Sequence, residues 1–258
     1  MKTVFITYGD NRYRLKKLIL KHQAKKLGFQ ETYAFGKSDL HHEFIRKCEP
    51  FINYKRGGGY WLWKPYIIFR ELSKISENDI LVYCDAGCII DFKKKKIFRE
   101  YIELLQEKHV LAFESGQLNK WYINDKTLKR FNVINDIIFL NNIQVGAGVL
   151  IIRKCKDSME LFTEWLNIAL YETELFTDNS SINTTRQDFV EHRHDQSVFN
   201  IFFYFKNGTS LQSIASGDKA NPFITARTTD NKLPIIKYFF SLISLLRKVI
   251  YSFRATLW

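Results

Sequence analysis

The segment DILVYCDAGCII closes an apolar, strand-like run on Asp85, Ala86 and Gly87. An ionised carboxylate there is costly unless a partner neutralises it or it faces a cleft at a strand end. In a cleft it can hold a cation or accept hydrogen bonds from hydroxyl groups; as a plain turn aspartate it does neither. Two later stretches offer it company. Gly146, Ala147 and Gly148 in QVGAGVLIIR are small residues just ahead of an apolar strand, suited to close approach of backbone to a ligand. Asp195 and Gln196 in HRHDQSVFN open an apolar helix, where an acid is also a favourable first-turn residue.

A fourth stretch, RGGGYWLWKPY, sets three successive glycines beside three aromatics. Such a run costs conformational entropy, and exposed aromatics are expensive. It reads either as a flexible loop over a ligand, with Trp61 or Trp63 against a sugar face and Lys64 reaching a diphosphate, or as a linker followed by core aromatics. It is not a phosphate-binding P-loop, because the Gly-Lys-Ser/Thr ending is missing. A fifth, Thr7, Tyr8, Gly9 and Asp10, closes the first apolar run. Tyr8 there can stack a base and Gly9 can admit backbone, although an ordinary turn explains the same residues.

The elements that must position these groups follow from periodicity. TVFITYGD predicts a buried first strand, YRLKKLILKHQAKKLG a helix ending on Gly28, and ETYAFG a second strand. A strand, a helix and a strand at this pitch imply a parallel sheet with a crossover helix. Further on, a helix is expected from near Pro65, a central strand in DILVYCDAG, a helix in IFREYIELLQEK and a strand in HVLAFES. NVINDIIFLNNIQVGAGVLIIRK contains another strand, kinked at Gly-Ala-Gly, and KDSMELFTEWLNIALYE is an amphipathic helix. A last core helix begins in EHRHDQSVFNIFFYFKN, with polar loops from Gly208 to about Asn231. The expected organisation is one domain over 1–230 and a tail over 231–258.

Composition bounds the rest. With 258 residues, 46% of them hydrophobic and 16% aromatic, the chain can bury a large core, which argues against disorder. The formal charge of +12 favours polyanions: nucleic acid, anionic lipid or phosphorylated small molecules. Cys48, Cys84, Cys88 and Cys155 show no zinc spacing and read as reduced thiols of a cytosolic protein. The N-terminal run MKTVFITYGD reads as a strand and not as a leader, and no apolar stretch reaches the roughly 18 to 20 residues of a membrane span.

The order Asp-Ala-Gly at a strand end, then Gly-Ala-Gly-Val-Leu-Ile-Ile, then Asp-Gln with Asn200 resembles the GT-A glycosyltransferases. It is closest to the retaining enzymes of glycosyltransferase family 8 and their relatives in bacterial capsule and lipopolysaccharide synthesis. The resemblance spans about residues 1 to 205 and implies an α/β, Rossmann-like, mixed but mostly parallel sheet flanked by helices. It also implies transfer of a hexose, a UDP-hexose by default, from a nucleotide sugar to a glycan or lipid-linked glycan acceptor. In those families a strand-end Asp-x-Asp holds a metal and the donor phosphates, an Asn-Ala-Gly-Val segment lines the sugar pocket, and an Asp-Gln pair lies beside the anomeric carbon. Here Asp85, Ala86 and Gly87 stand at the first, Gly146 to Val149 at the second, and Asp195 and Gln196 at the third. The donor is expected against Thr7, Tyr8, Gly9, Lys64, Asp85, Ala86, Gly87, Gly146, Ala147 and Gly148, with Asp195 and Gln196 catalytic. Trp61 and His194 are expected on the acceptor side.

Two departures from the pattern concern the metal. Gly87 replaces the second aspartate, and no histidine follows His194. Asp85 with donor phosphates and water would hold manganese or magnesium weakly; alternatively, fixed cations such as Lys64, Arg56 or a basic residue of the tail neutralise the diphosphate and Asp85 takes sugar or ribose hydroxyls.

From Pro234 the tail intermixes Phe239, Phe240, Leu242, Ile243, Leu245 and Leu246 with Arg247, Lys248 and Arg254, and from Asn231 onward it carries no acid. It reads as a basic amphipathic helix for the inner face of an anionic membrane, or as a helix packed on the core. Nucleic acid is not expected, since the aromatics sit in apolar runs and no nucleic-acid motif is present. The alternatives are a catalytically inactive partner protein of the same fold, given the missing aspartate, and, less favoured, a basic nucleic-acid-binding protein.

Overall fold

The computed structural model describes residues 1–211 and 221–225, so the tail expected from residue 231 lies outside the described residues. Apolar alternation builds a sheet covered on both faces. Its strands are β1 (Thr3–Tyr8), β2 (Glu31–Phe35), β3 (Ile80–Asp85), β5 (Val110–Leu118), β6 (Ile143–Arg153) and β7 (Thr209–Leu211). They lie in the order β2-β1-β3-β6-β5-β7. β1 runs parallel to β2 and β3, β6 is antiparallel to both its neighbours, and β7 is parallel to β5. Five strands thus share one direction and β6 alone is reversed, which is the mixed, mostly parallel sheet expected.

Alternate residues feed two cores. Val4, Ile6, Leu81, Tyr83, Leu150 and Ile152 pack on α2 (Trp63–Lys74), α4 (Lys156–Tyr171) and α5 (His194–Phe205). Phe5, Ile80, Val82, Leu111 and Ile151 face the other way, toward α1 (Arg14–Leu27) and α3 (Lys95–Leu104). Gly28 ends α1 at φ 125°, its N–H bonded to the Ala24 carbonyl at 3.1 Å, as its position predicts.

The expected polar loop after Gly208 is partly sheet. Thr209–Leu211 forms β7, and a two-stranded ribbon pairs β4 (Ile89–Ile90) with β8 (Phe223–Ile224). Strands this short carry too few residues for a periodic signal. The glycine run likewise differs from an open flexible loop. Residues 57 to 61 all have positive φ, Tyr60 and Trp61 included, and a Cβ on Gly59 would lie 2.6 Å from the Ile52 carbonyl oxygen. It is a packed left-handed turn that delivers the start of α2.

The kink at Gly-Ala-Gly is a bulge in β6. Ala112 pairs with Leu150 and Phe113 with Gly146, so residues 147 to 149 bow away from β5. On the other edge β3 stops pairing at Cys84 with Val149. Beyond that point the Asn200 side chain takes the place of a ladder partner: Val145 N–H donates to Asn200 Oδ1 at 2.7 Å, and Asn200 Nδ2 donates to the Val145 carbonyl at 2.8 Å. Asn200→Ala leaves both buried backbone groups unpaired, and urea unfolding is expected to show a loss of about 2 to 3 kcal/mol.

Candidate active site

β1 sits between β2, which follows it in sequence, and β3, on its other side. The chain therefore reverses its direction of travel across the sheet between β1 and β3. Open α/β sheets bind ligands outside the carboxyl ends of their strands at such a switch point. Tyr8, the last residue of β1, pairs with Asp85, the last residue of β3.

Asp85 has two partners. The Tyr83 hydroxyl, two residues back on the same face of β3, donates to Asp85 Oδ1, and Lys64 Nζ lies 3.3 Å from the same oxygen. Lys64 also lies 2.6 Å from Asp195 Oδ2. One ammonium thus bridges carboxylates from the end of β3 and the first turn of α5. Lys64 is 2% exposed and Asp195 5%, whereas the Asp85 side chain keeps 38% of its surface. Burial alone would lower the Lys64 pKa, but the two carboxylates outweigh it and hold it above the usual lysine range. Burial raises the pKa of Asp195 against the pull of Lys64, making it more basic than an ordinary aspartate. Burial, then the charge on Asp85, pushes the Tyr83 hydroxyl well up, so it remains a donor.

The other expected residues surround this bridge. Gly148 faces Asp85, where a Cβ would lie 3.1 Å from Oδ2, so glycine leaves that oxygen room. A Cβ on Gly9 would meet Tyr13 and Ala86, so glycine lets the ends of β1 and β3 close up. Lys17 Nζ donates to the Gly9 carbonyl at 2.6 Å and the Phe35 carbonyl at 2.7 Å, tying β1 to β2. Thr7 is buried in β1, Ala147 is buried in the bulge, and Gly87 and Gly146 are half-buried. Gln196 Nε2 donates to Gln144 Oε1 at 2.6 Å, which links α5 to β6 beside the bulge.

Several side chains do work other than that expected of them. Tyr8 is stacked on Trp63 with ring centroids 4.0 Å apart, so this ring is a wall and not an open base platform. Lys64 is inside the protein holding two carboxylates and does not project toward a diphosphate. Asp195 directs its carboxylate to Lys64 although it occupies the first turn of α5.

His194, at φ 51°, has both ring nitrogens engaged: Nδ1 donates to the Phe176 carbonyl at 2.8 Å and Nε2 accepts from Arg56 Nε at 3.1 Å. Trp61 stacks on it at 5.2 Å. Arg56 also meets Asp178 at 3.4 Å, and both are about half exposed. Arg56, Trp61 and Asp178 therefore form a polar and aromatic surface next to Asp195.

The donor atoms do not fit a divalent ion held by the protein. Such an ion needs several hard oxygen ligands. Among the described residues no three of His, Cys, Asp and Glu are grouped to hold one, and the position between the two carboxylates is filled by Lys64 Nζ. A cavity of about 440 Å³ lined by Asn119, Asn142, Asn200, Tyr204 and Ser210 contains none of Asp85, Lys64 and Asp195.

Tyr83, Gln144 and Asp178 did not stand out in the sequence. Tyr83 had a signal, since residues two apart on a strand share a face; the others meet their partners only through the fold.

No family profile matches the chain, and no curated protein sequence matches it. Solved structures of similar chain path include a glycosyltransferase involved in glycosylation of the major capsid of PBCV-1, at 12% identity over 83% of this chain and 81% of that one, with a TM-score of 0.46. The galactosyltransferase LgtC, crystallised with donor and acceptor sugar analogues, is 11% identical over 81% and 73%, with a TM-score of 0.42. Mouse xyloside xylosyltransferase 1 is 10% identical over 83% and 85%, with a TM-score of 0.45. At such identities the chemistry of this chain rests on its own residues.

His192 gives the site region a pH signature. Its Nε2 donates to the Leu175 carbonyl at 2.8 Å and its Nδ1 accepts from the Asn124 N–H at 3.4 Å. Burial lowers its pKa to about 3. In the unfolded chain it titrates near 6.5, so between these values the unfolded state binds more protons and stability falls as pH falls. The stabilisation is complete above about pH 6.5 and declines by at most about 1.4 kcal/mol per pH unit below it. His194, also lowered by burial, acts in the same direction. Urea unfolding at several pH values between about 4 and 6 is expected to give His192→Asn a slope shallower by about 1 kcal/mol per unit.

Proposed function

We propose that the chain is a glycosyltransferase that moves a hexose from a nucleotide sugar to a glycan or lipid-linked glycan of a surface polysaccharide or lipopolysaccharide precursor. The observation that carries this reading is the Asp85–Lys64–Asp195 bridge at the switch point of the sheet. The site offers fixed hydrogen-bond acceptors, glycine backbone opposite them, and an adjoining aromatic surface. Hydroxyl-rich ligands are recognised by that combination. A UDP-hexose and retention of configuration follow from the resemblance in the sequence.

In this reading the donor lies over the ends of β1 and β3, against Asp85, Gly87 and the Gly146 and Gly148 positions of the bulge, while Thr7, Gly9, Ala86 and Ala147 are buried behind that surface. Asp85 accepts from hexose hydroxyls. Asp195, with its raised pKa, hydrogen-bonds a donor or acceptor hydroxyl at the reacting carbon, and Gln196 is positioned beside it by Gln144. Trp61 faces the acceptor, with the buried His194 ring behind it and Arg56 and Asp178 supplying polar contacts.

The tail from residue 231 would hold the protein at the inner face of an anionic membrane, and the location would be cytoplasmic. Among the described residues no helix is long and apolar enough to cross a membrane. Co-sedimentation of the full chain with vesicles containing anionic lipid is expected, weakening as salt is raised.

Calorimetric titration with UDP- and GDP-hexoses, followed by transfer assays, tests the activity. Asp85→Asn is expected to weaken nucleotide-sugar binding at least about tenfold. Asp195→Asn is expected to lower transfer by about 10² to 10⁴ with a smaller effect on binding. Failure of the folded protein to bind or turn over any nucleotide sugar would overturn the reading and point to an inactive partner protein.

A further inference from the structure

We propose that Lys64 is the built-in cation of this site, a positioning residue that takes the place between two carboxylates a divalent ion would otherwise occupy, so that the hexose of a nucleotide sugar is held over Asp85 without metal. The inference rests on the glycosyltransferase reading for its substrate and on geometry for its mechanism. Lys64 Nζ lies 3.3 Å from Asp85 and 2.6 Å from Asp195, at the point between the carboxylates where a bridging cation belongs. It is 2% exposed, and a buried ammonium persists only when paired.

The slot suits an ammonium better than a hard divalent ion. Nζ lies 5.5 Å from the centre of the Tyr83 ring and 5.8 Å from that of Trp63, so aromatic faces complete its surroundings. Magnesium gives up its water reluctantly and asks for oxygen ligands in octahedral array; aromatic rings offer none. A metal on the remaining oxygen of Asp85 would sit one carboxylate away from a like charge, which weakens it further.

Charge then decides what the bridge binds. Two carboxylates and one ammonium leave one net negative charge, so the cluster repels a diphosphate and favours hydroxyl donors. It also favours positive charge developing at a sugar carbon. The hexose therefore sits over Asp85, the most exposed of the three, with Lys64 holding the acceptor oxygens of Asp85 and Asp195 at fixed separation.

Two measurements test this on the full chain. Electron paramagnetic resonance of added manganese reads metal uptake without any activity. Wild type is expected to leave manganese free, while Lys64→Ala, with two carboxylates and no ammonium, takes it up at least about tenfold more tightly. Asp85→Asn in that background is expected to abolish the gain. Calorimetry with UDP-glucose and UDP-galactose is expected to give the wild-type protein the same affinity, within about twofold, in EDTA and in manganese.

Wild type that binds manganese as tightly as Lys64→Ala, a folded Lys64→Ala that gains no manganese, or donor binding that needs the metal would each overturn the inference. Where Lys64→Ala does not fold, as judged by circular dichroism, the wild-type manganese and EDTA arms decide. Absence of all nucleotide-sugar binding would overturn the glycosyltransferase reading instead, and manganese uptake alone would then decide the role of Lys64.

Discussion

A buried ammonium between two carboxylates is the constraint around which this protein is arranged. Lys64 enters from the first turn of α2, Asp85 from the end of β3 and Asp195 from the first turn of α5. An uncompensated charge at this depth would cost several kcal/mol, so all three elements must meet to within a hydrogen bond. The left-handed turn at residues 57 to 61 fixes where α2 starts. Positive φ at Tyr60 and Trp61 costs about 1 to 2 kcal/mol each. The stacking of Trp61 on His194 and of Trp63 on Tyr8 helps offset that cost and locks the register of Lys64.

The sheet supplies the complementary half of the site by stopping in the right places. β3 ends at Asp85 while β6 continues past it, bulged through Ala147 and Gly148. A strand edge exposed by its neighbour's ending would normally leave backbone groups unpaired. Asn200 answers this with one side chain that both accepts from and donates to Val145. The same helix that carries Asp195 therefore also closes the edge of β6, and the Asp195 carboxylate is tied to the sheet through its own scaffold.

Much of this is legible in the sequence. The first strand, α1, β3 and the helix from Pro65 follow from hydrophobic period and punctuation by glycine. Asp85 is visible because it closes an apolar strand that otherwise has no use for charge, and Asp195 because it opens an apolar helix beside Gln196. What was hidden is the pairing. Nothing local in WKPY says that its lysine turns inward to two carboxylates distant in sequence. The glycine run was conspicuous, but its composition fits a flexible loop as well as a packed turn, and only contact with Ile52 decides between them. Tyr8 looked like a free aromatic because its cover, Trp63, comes from another element. β7 and the β4–β8 ribbon are too short to leave a periodic trace.

The bridge also explains why Asp195 occupies a helix start without capping it. The amide dipoles of α5 favour negative charge in its first turn, and Lys64 favours it from the other side, while burial opposes both. The balance leaves a charged group more basic than an exposed aspartate and unable to relax into solvent. Asp85 differs in its surroundings, since Tyr83 and Lys64 share one of its oxygens while the other faces Gly148. Two carboxylates held by one cation thus acquire different characters from their burial and their separate partners: Asp85 keeps an accessible oxygen, and Asp195 is enclosed against Lys64.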